Sequence, residues 1–239
     1  MNKELEKVLK EKANPEKAKL LQRFFKTGKG DYGEGDIFLG IMVPIQRKIS
    51  KEFLYITIND IQELLDSKVH EKRMIGLFIL IEKYKKADEK QKKEIYEFYL
   101  KNARKNNINN WDLVDLSAPN IVGNYLLDKN RKILYNLVKS KNLWEKRIAI
   151  ISTFTFIRQD DFNDSLKISQ ILLSDSHDLI HKAIGWMLRE IGKRDKKILE
   201  DFLKKNYKKM PRTMLRYAIE KFPESERKMW LKKERYIQV

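Results

Sequence analysis

Apolar residues recur along most of this chain at three- and four-residue intervals, the spacing that lines one face of a helix. The stretch "ITINDIQELLDSKV" predicts a helix capped at Asn59, with Ile61, Leu64 and Leu65 on one stripe. "QKKEIYEFYLKNARK" is amphipathic and gathers Ile95, Phe98 and Tyr99. "HEKRMIGLFILIEKY" is too apolar through its middle for a surface helix and is expected inside the fold. "RKILYNLVKS" and "DSLKISQILLS" repeat the pattern. With only 9 Gly and 5 Pro in 239 residues, the chain lacks the punctuation that strand-and-turn folds use, so an all-α fold is expected.

Several helices share a plan: a polar start, a basic residue, then an apolar run. "HEKRMIGLFIL", "WEKRIAIISTF" and "IHKAIGWMLRE" place Arg73, Arg147 and Lys182 at equivalent points, and "MPRTMLRYAIEKF" adds Arg212. The spacing, a multiple of roughly 30 to 37 residues, is that of one helical hairpin per unit, as in HEAT or armadillo solenoids. With so few units, coincidence competes with a true repeat. If the repeat holds, the recurring basic position would form a positive stripe along one face. The whole chain, 1–239, is read as a single HEAT-like repeat domain with a basic tail at 224–239.

One segment departs from the pattern. "KTGKGDYGEGDIFLGIMVP" (26–44) holds five of the nine glycines and predicts a loop or β-hairpin inserted between two helices. It has neither the G-x-x-x-x-G-K-[ST] spacing of a P-loop nor a preceding strand for a dinucleotide fingerprint. It is either a surface excursion or a projecting finger that offers Lys26, Lys29 and Tyr32 to phosphate and sugar. Asp31, Glu34 and Asp36 in the same stretch weigh against the finger.

Charge adds a partner class. Lys and Arg total 51 against 34 acidic residues, a formal net charge of +17. That excess points to polyanions, although lysine-biased coding would produce it too. Only 13 residues are arginine, so each placed arginine tells more than any lysine. Cysteine is absent, which excludes disulfides, thiolate metal sites and cysteine nucleophiles. The N-terminal stretch is charged throughout, with no apolar segment of signal-peptide length, and nowhere do ~18 uncharged apolar residues run together, so no membrane span is expected.

Candidate chemistry centres on "NNWDLVD" (109–115). Asn109 or Asn110 is a natural N-cap, and Asp112 in the first turn is explained by the helix dipole. Asp115 lies beyond that turn, on one face with Trp111 four residues earlier. An acid there either pairs with a basic residue, tying two repeats together, or faces a polar cavity. In "KAIGWMLRE", Trp186 and Arg189 share a face, with Gly185 leaving room for close approach; the pair suits stacking on sugars or bases and holding phosphate, or Trp186 is plain core. Trp144 is read as core. His177 and His181 have i, i+4 spacing, but no third ligand lies nearby and no "HExxH" exists, so a metal site is not expected. No "GxSxG" elbow supports a serine triad.

Taken in order, "NNWDLVD", "LWEKRIAI", "HKAIGWMLRE" and "MPRTMLRYAIEKF" resemble the AlkD-like DNA alkylation repair family, HEAT-like repeat alkylpurine DNA glycosylases, over about residues 15–220. The resemblance implies an all-α solenoid that binds duplex DNA on a basic concave surface. It implies excision of cationic N3- and N7-alkylated purines without metal or organic cofactor. By motif position Asp115 matches the catalytic aspartate, Trp111 and Trp186 match aromatics packing on the damaged nucleotide, and Arg147 and Arg189 match phosphate-contacting arginines. Where the family often has an early-helix tyrosine, "QRFFK" offers Phe24 or Phe25; Phe24 is taken as the DNA-binding aromatic, and Lys29 of the glycine-rich stretch as a further DNA contact. The glycine-rich stretch is longer than in the best-known members.

The expected function is therefore a monofunctional glycosylase that hydrolyses the N-glycosidic bond of alkylated purines in double-stranded DNA. Its expected setting is a monomer at the nucleoid of a prokaryotic cytoplasm. The alternatives are a non-catalytic repeat protein that recognises bent or branched DNA, and a peptide-binding helical scaffold.

Overall fold

The computed structural model describes residues 2–232, and every structural statement below concerns those residues. They form helices joined by turns and loops, with no strand; one isolated parallel bridge joins Ile37 to Val69. This is the all-α helical-repeat class expected from the periodicity. The chain divides into two compact units, residues 1–117 and residues 118 onward.

In the first unit, α1 (Lys3–Lys12) and α2 (Pro15–Phe24) start on asparagine caps. The Asn2 side chain accepts from the Glu4 and Leu5 amides, and that of Asn14 from the Lys17 amide, with Pro15 fixing the first turn of α2. α1 buries Leu5 and Leu9, one turn apart, whereas α2 has no fully buried residue. After the loop from Phe25 to Met42 come α3 (Val43–Glu52), α4 (Ile58–Leu65), α5 (His70–Lys86), α6 (Glu89–Arg104) and α7 (Trp111–Ala118). α4 begins at a Thr57–Asp60 capping box rather than at Asn59: Thr57 Oγ1 accepts the Asp60 amide at 3.2 Å and the Asp60 carboxylate accepts the Thr57 amide at 3.0 Å. Two reciprocal bonds outbid the single bond an Asn59 cap would make.

α5 is the spine of this unit. Its buried positions run unbroken from Arg73 to Ile81, because α3, α4 and α6 all pack on it. That explains a sequence with no polar face in its middle.

The second unit opens with a π-helical turn (Pro119–Gly123), followed by α8 (Lys132–Val138), α9 (Leu143–Ser152), α10 (Phe154–Ile157), α11 (Asn163–Ile171), α12 (Asp178–Arg194), α13 (Lys196–Asn206), α14 (Arg212–Ala218) and α15 (Glu224–Lys232). α12 is its spine, burying Ile180, Ala183, Ile184, Met187, Leu188 and Ile191 against α9, α13 and α14. Gly185 allows the close approach of α14: a Cβ there would lie 2.5 Å from Tyr217 Cβ and 2.6 Å from the Met214 carbonyl oxygen. The small residue beside Trp186 thus serves packing against α14. The expected basic tail starts as helix α15, with Trp230 buried, and its last part, 233–239, lies outside the described residues.

Candidate nucleic-acid site

The first turn of α5 is polar at the head of an apolar helix, and its three buried polar side chains fasten the glycine-rich loop. Glu71, fully buried, accepts the backbone amides of Leu39, Gly40 and Ile41 at 2.8–3.2 Å. Arg73 donates from Nη2 to Asp36 at 2.6 Å and from Nη1 to the Asn109 side chain at 2.7 Å. His70 lies between two carboxylates, with Nδ1 3.3 Å from Asp36 and Nε2 2.9 Å from Asp112. Asn110 donates to Asp36 at 3.3 Å. The segment 26–42 is therefore a loop rather than a hairpin, and its last acid points inward: Asp36 is only 3% exposed.

These bonds place α7. The backbone of Asn110 accepts the first helical bond, from Val114, so Asn110 is its cap, while Asn109 is engaged by Arg73. Asp112 favours the helix dipole as expected, and it also bonds His70 on another helix, which the sequence reading missed. Four rings stack in series: Trp111 on Phe25 (5.2 Å, 12° from parallel), Phe25 on Phe38 (5.0 Å, 22°) and Phe38 on His70 (4.6 Å, 23°). Phe24 meets Trp111 edge-on at 6.1 Å and is itself 65% exposed. The two adjacent phenylalanines thus divide their tasks: Phe25 is core and Phe24 faces solvent beside the indole.

Asp115 is half-buried on α7, as is Trp111 one turn before it. Beneath them the Tyr99 hydroxyl bonds Ser117 at 2.8 Å. Burial, with a smaller contribution from the negative charge of Asp115, holds that hydroxyl protonated well above the usual tyrosine range. Lys29 is exposed in the glycine-rich loop.

The remaining candidates lie in the second unit. Trp186 is half-buried on α12, its ring 5.6 Å from that of Phe154, and its indole N–H donates to Glu190 at 3.1 Å. Arg189, half-buried, pairs with Glu190 at 3.3 Å and with Glu220. Arg147 is buried at 4% exposure and its guanidinium donates to the Leu179 carbonyl. Trp144 is core, as expected. The recurring basic position does not make a uniform positive stripe: Arg73 and Arg147 are both buried and Lys182 pairs with Asp178 at 2.8 Å, whereas Arg212 is exposed. A guanidinium can satisfy several buried acceptors at once, and Arg73 and Arg147 serve as internal ties in this way. His177 caps α12 by accepting the Leu179 amide, and His181 lies 2.5 Å from the Asp175 carbonyl, so both rings already have partners.

An all-α repeat that sets a half-buried carboxylate one turn from a buttressed indole defines a class, a helical-repeat protein with an aromatic and acidic face on α7. The sequence profile described as DNA alkylation repair enzyme matches residues 5–222, and the chain belongs to that family. DNA is the substrate that membership implies. A solved structure described as "Predicted DNA alkylation repair enzyme from Enterococcus faecalis" superimposes with a TM-score of 0.70 over 89% of this chain and 98% of that one. At 16% identity, that likeness is one of fold. No curated protein matches the chain. No described helix is long and apolar enough to cross a membrane.

Proposed function

We propose that the protein is a monofunctional DNA glycosylase that releases cationic N3- and N7-alkylated purines from duplex DNA, with Asp115 as its catalytic carboxylate. The observation that carries this reading is the pairing on α7 of a half-buried Asp115 with Trp111, four residues apart, in a chain of the DNA alkylation repair family.

The chemistry asks little else of the protein. An alkylated purine already bears a positive charge, so it departs as a neutral base without being protonated. The N-glycosidic bond breaks with its electron pair going to the purine, and positive charge develops on the deoxyribose. A fixed carboxylate stabilises that charge. A water molecule then adds to C1′ and gives up a proton, leaving an abasic site and a free alkylpurine. Indole faces attract such a developing cation, which is the role proposed for Trp111; Trp186, on α12, is proposed as a DNA-contacting aromatic. Phe24, Lys29 and Arg189 are proposed to contact the DNA backbone, the last by exchanging Glu220 for phosphate.

The test is release of methylpurine from methylated duplex, wild type beside Asp115→Asn. The expected result is release by the wild type, a loss of about 100-fold or more in the variant, and DNA affinity unchanged. Binding without release by the wild type would replace the enzyme by a non-catalytic DNA-binding protein.

A further inference from the structure

We propose that His70, bridging Asp36 and Asp112, is a positioning residue that sets the orientation of Trp111 for the reaction. The inference rests on the reading of α7 as the reacting face, but concerns residues to which neither the family match nor the chemistry above gives a task.

The bridge has two carboxylates and one ring. Carboxylates accept and do not donate, so both ring nitrogens must carry hydrogen to satisfy them, and only the imidazolium does so. The site is sealed: the side chains of His70 and Asp36 are each 3% exposed. The charged groups facing the ring come from three elements, Asp36 from the loop, Asp112 from α7, and Arg73 from α5 itself. With His70 protonated, two buried cations meet two buried anions. Remove that proton and one negative charge is left uncompensated in the interior, which is costly. Burial alone would pull the imidazole pKa down, but the charge and hydrogen bond of Asp112 and the hydrogen bond of Asp36 outweigh it and raise the pKa to about 9.

Two connections carry this bridge to Trp111. One is covalent: Asp112 is the next residue, and its carboxylate ties the first turn of α7 to α5. The other is the ring series, in which His70 is the innermost member and Trp111 the outermost. Loosening the bridge therefore shifts the indole, while Glu71 and Arg73 still fasten the loop that carries Lys29. A reacting sugar misplaced by a fraction of an ångström reacts more slowly while its phosphates stay bound.

The experiment uses the full chain labelled with 5-fluorotryptophan, its Trp111 resonance assigned by Trp111→Phe. In the wild type, titration through pH 9 should move the Trp111 fluorine resonance in step with the His70 imidazole signals. In His70→Phe, which keeps a stacked ring but no donors, the resonance should be displaced at neutral pH and the step abolished. Single-turnover base release should fall about tenfold or more, with DNA affinity within about twofold. A Trp111 resonance indifferent to His70 titration, or unchanged in the folded His70→Phe variant, would overturn the proposal. The wild-type titration needs no variant, so it decides the matter even if His70→Phe does not fold. If the wild type releases no base, the enzyme reading falls and with it the reaction that the positioning serves, whereas the titration separately decides whether His70 sets the orientation of Trp111.

Discussion

The indole of Trp111 lies parallel to the ring of Phe25, 5.2 Å between centroids and 12° between planes. The neighbouring Phe24 meets the same indole edge-on from solvent. Phe25→Ala should cost about 3–5 kcal/mol in urea unfolding, because it empties a buried ring site and unstacks Trp111. Phe24→Ala should change stability by no more than about 0.5 kcal/mol while weakening binding to duplex. Equal effects of the two substitutions on stability would contradict the division between them.

The His70 bridge predicts a pH dependence of stability. The folded pKa of about 9 exceeds the ordinary 6.5, so the folded state holds a proton that the unfolded chain gives up. The contribution is full below pH 6.5, declines as pH rises, and is gone once pH has passed about 9. The difference in thermal midpoint between wild type and His70→Phe should therefore narrow steadily from pH 6.5 to 9. A difference that stays constant over this window would mean that His70 is not held charged.

How much of this could be read from the chain depends on how far apart the partners lie. The helices and core were legible, because burial of one face imposes a period that Ile61, Leu64 and Leu65 display directly. Phe24 and Trp111 were singled out from local motifs, and they do meet. Asp112 was explained too simply because its partner His70 is 42 residues away. Asp36 looked like a surface acid among glycines, yet it binds His70, Arg73 and Asn110, between 34 and 74 residues distant. Long-range polar pairs leave no periodic trace. The one available signal was a charged "HEKR" heading a helix whose middle is buried on every side.

Two arginines proposed from the same motifs should separate by salt dependence. Each phosphate contact contributes about 0.9 to the slope of log affinity against log salt. Arg189→Ala, which removes a half-buried guanidinium balanced by Glu190 and Glu220, should lower that slope by about one unit. Arg147→Ala removes a buried donor from the Leu179 carbonyl and should lower the thermal midpoint with the slope unchanged. A reduced slope in Arg147→Ala would return that residue to the DNA contacts.

Gly40 stands where the loop crosses the start of α2, at φ +78°, and a Cβ would lie 2.1 Å from the Asn14 carbonyl oxygen. Alanine there meets both the disfavoured backbone region and backbone atoms that cannot step aside. Gly40→Ala should cost more than about 2 kcal/mol by thermal or urea unfolding. A near-neutral result would show that the chain path at Asn14 can shift.

The amide of Gly40 also belongs to the trio bound by Glu71, and that carboxylate offers the sharpest test of how the loop is held. Leu39, Gly40 and Ile41 direct their N–H groups at one fully buried side chain. Truncation strands three donors in the interior, each carrying a desolvation cost that water entering the cavity offsets only in part. Glu71→Ala should lose about 2–4 kcal/mol of stability, and Glu71→Gln, which keeps a carbonyl acceptor but turns an NH₂ group toward donors, should fall between. Because the loss is confined to the loop's attachment, Lys26 and Lys29 should become cleavable by trypsin in Glu71→Ala at denaturant concentrations where α5 remains protected. Simultaneous loss of both regions would mean that the loop is part of the core's cooperative unit rather than a segment fastened to it.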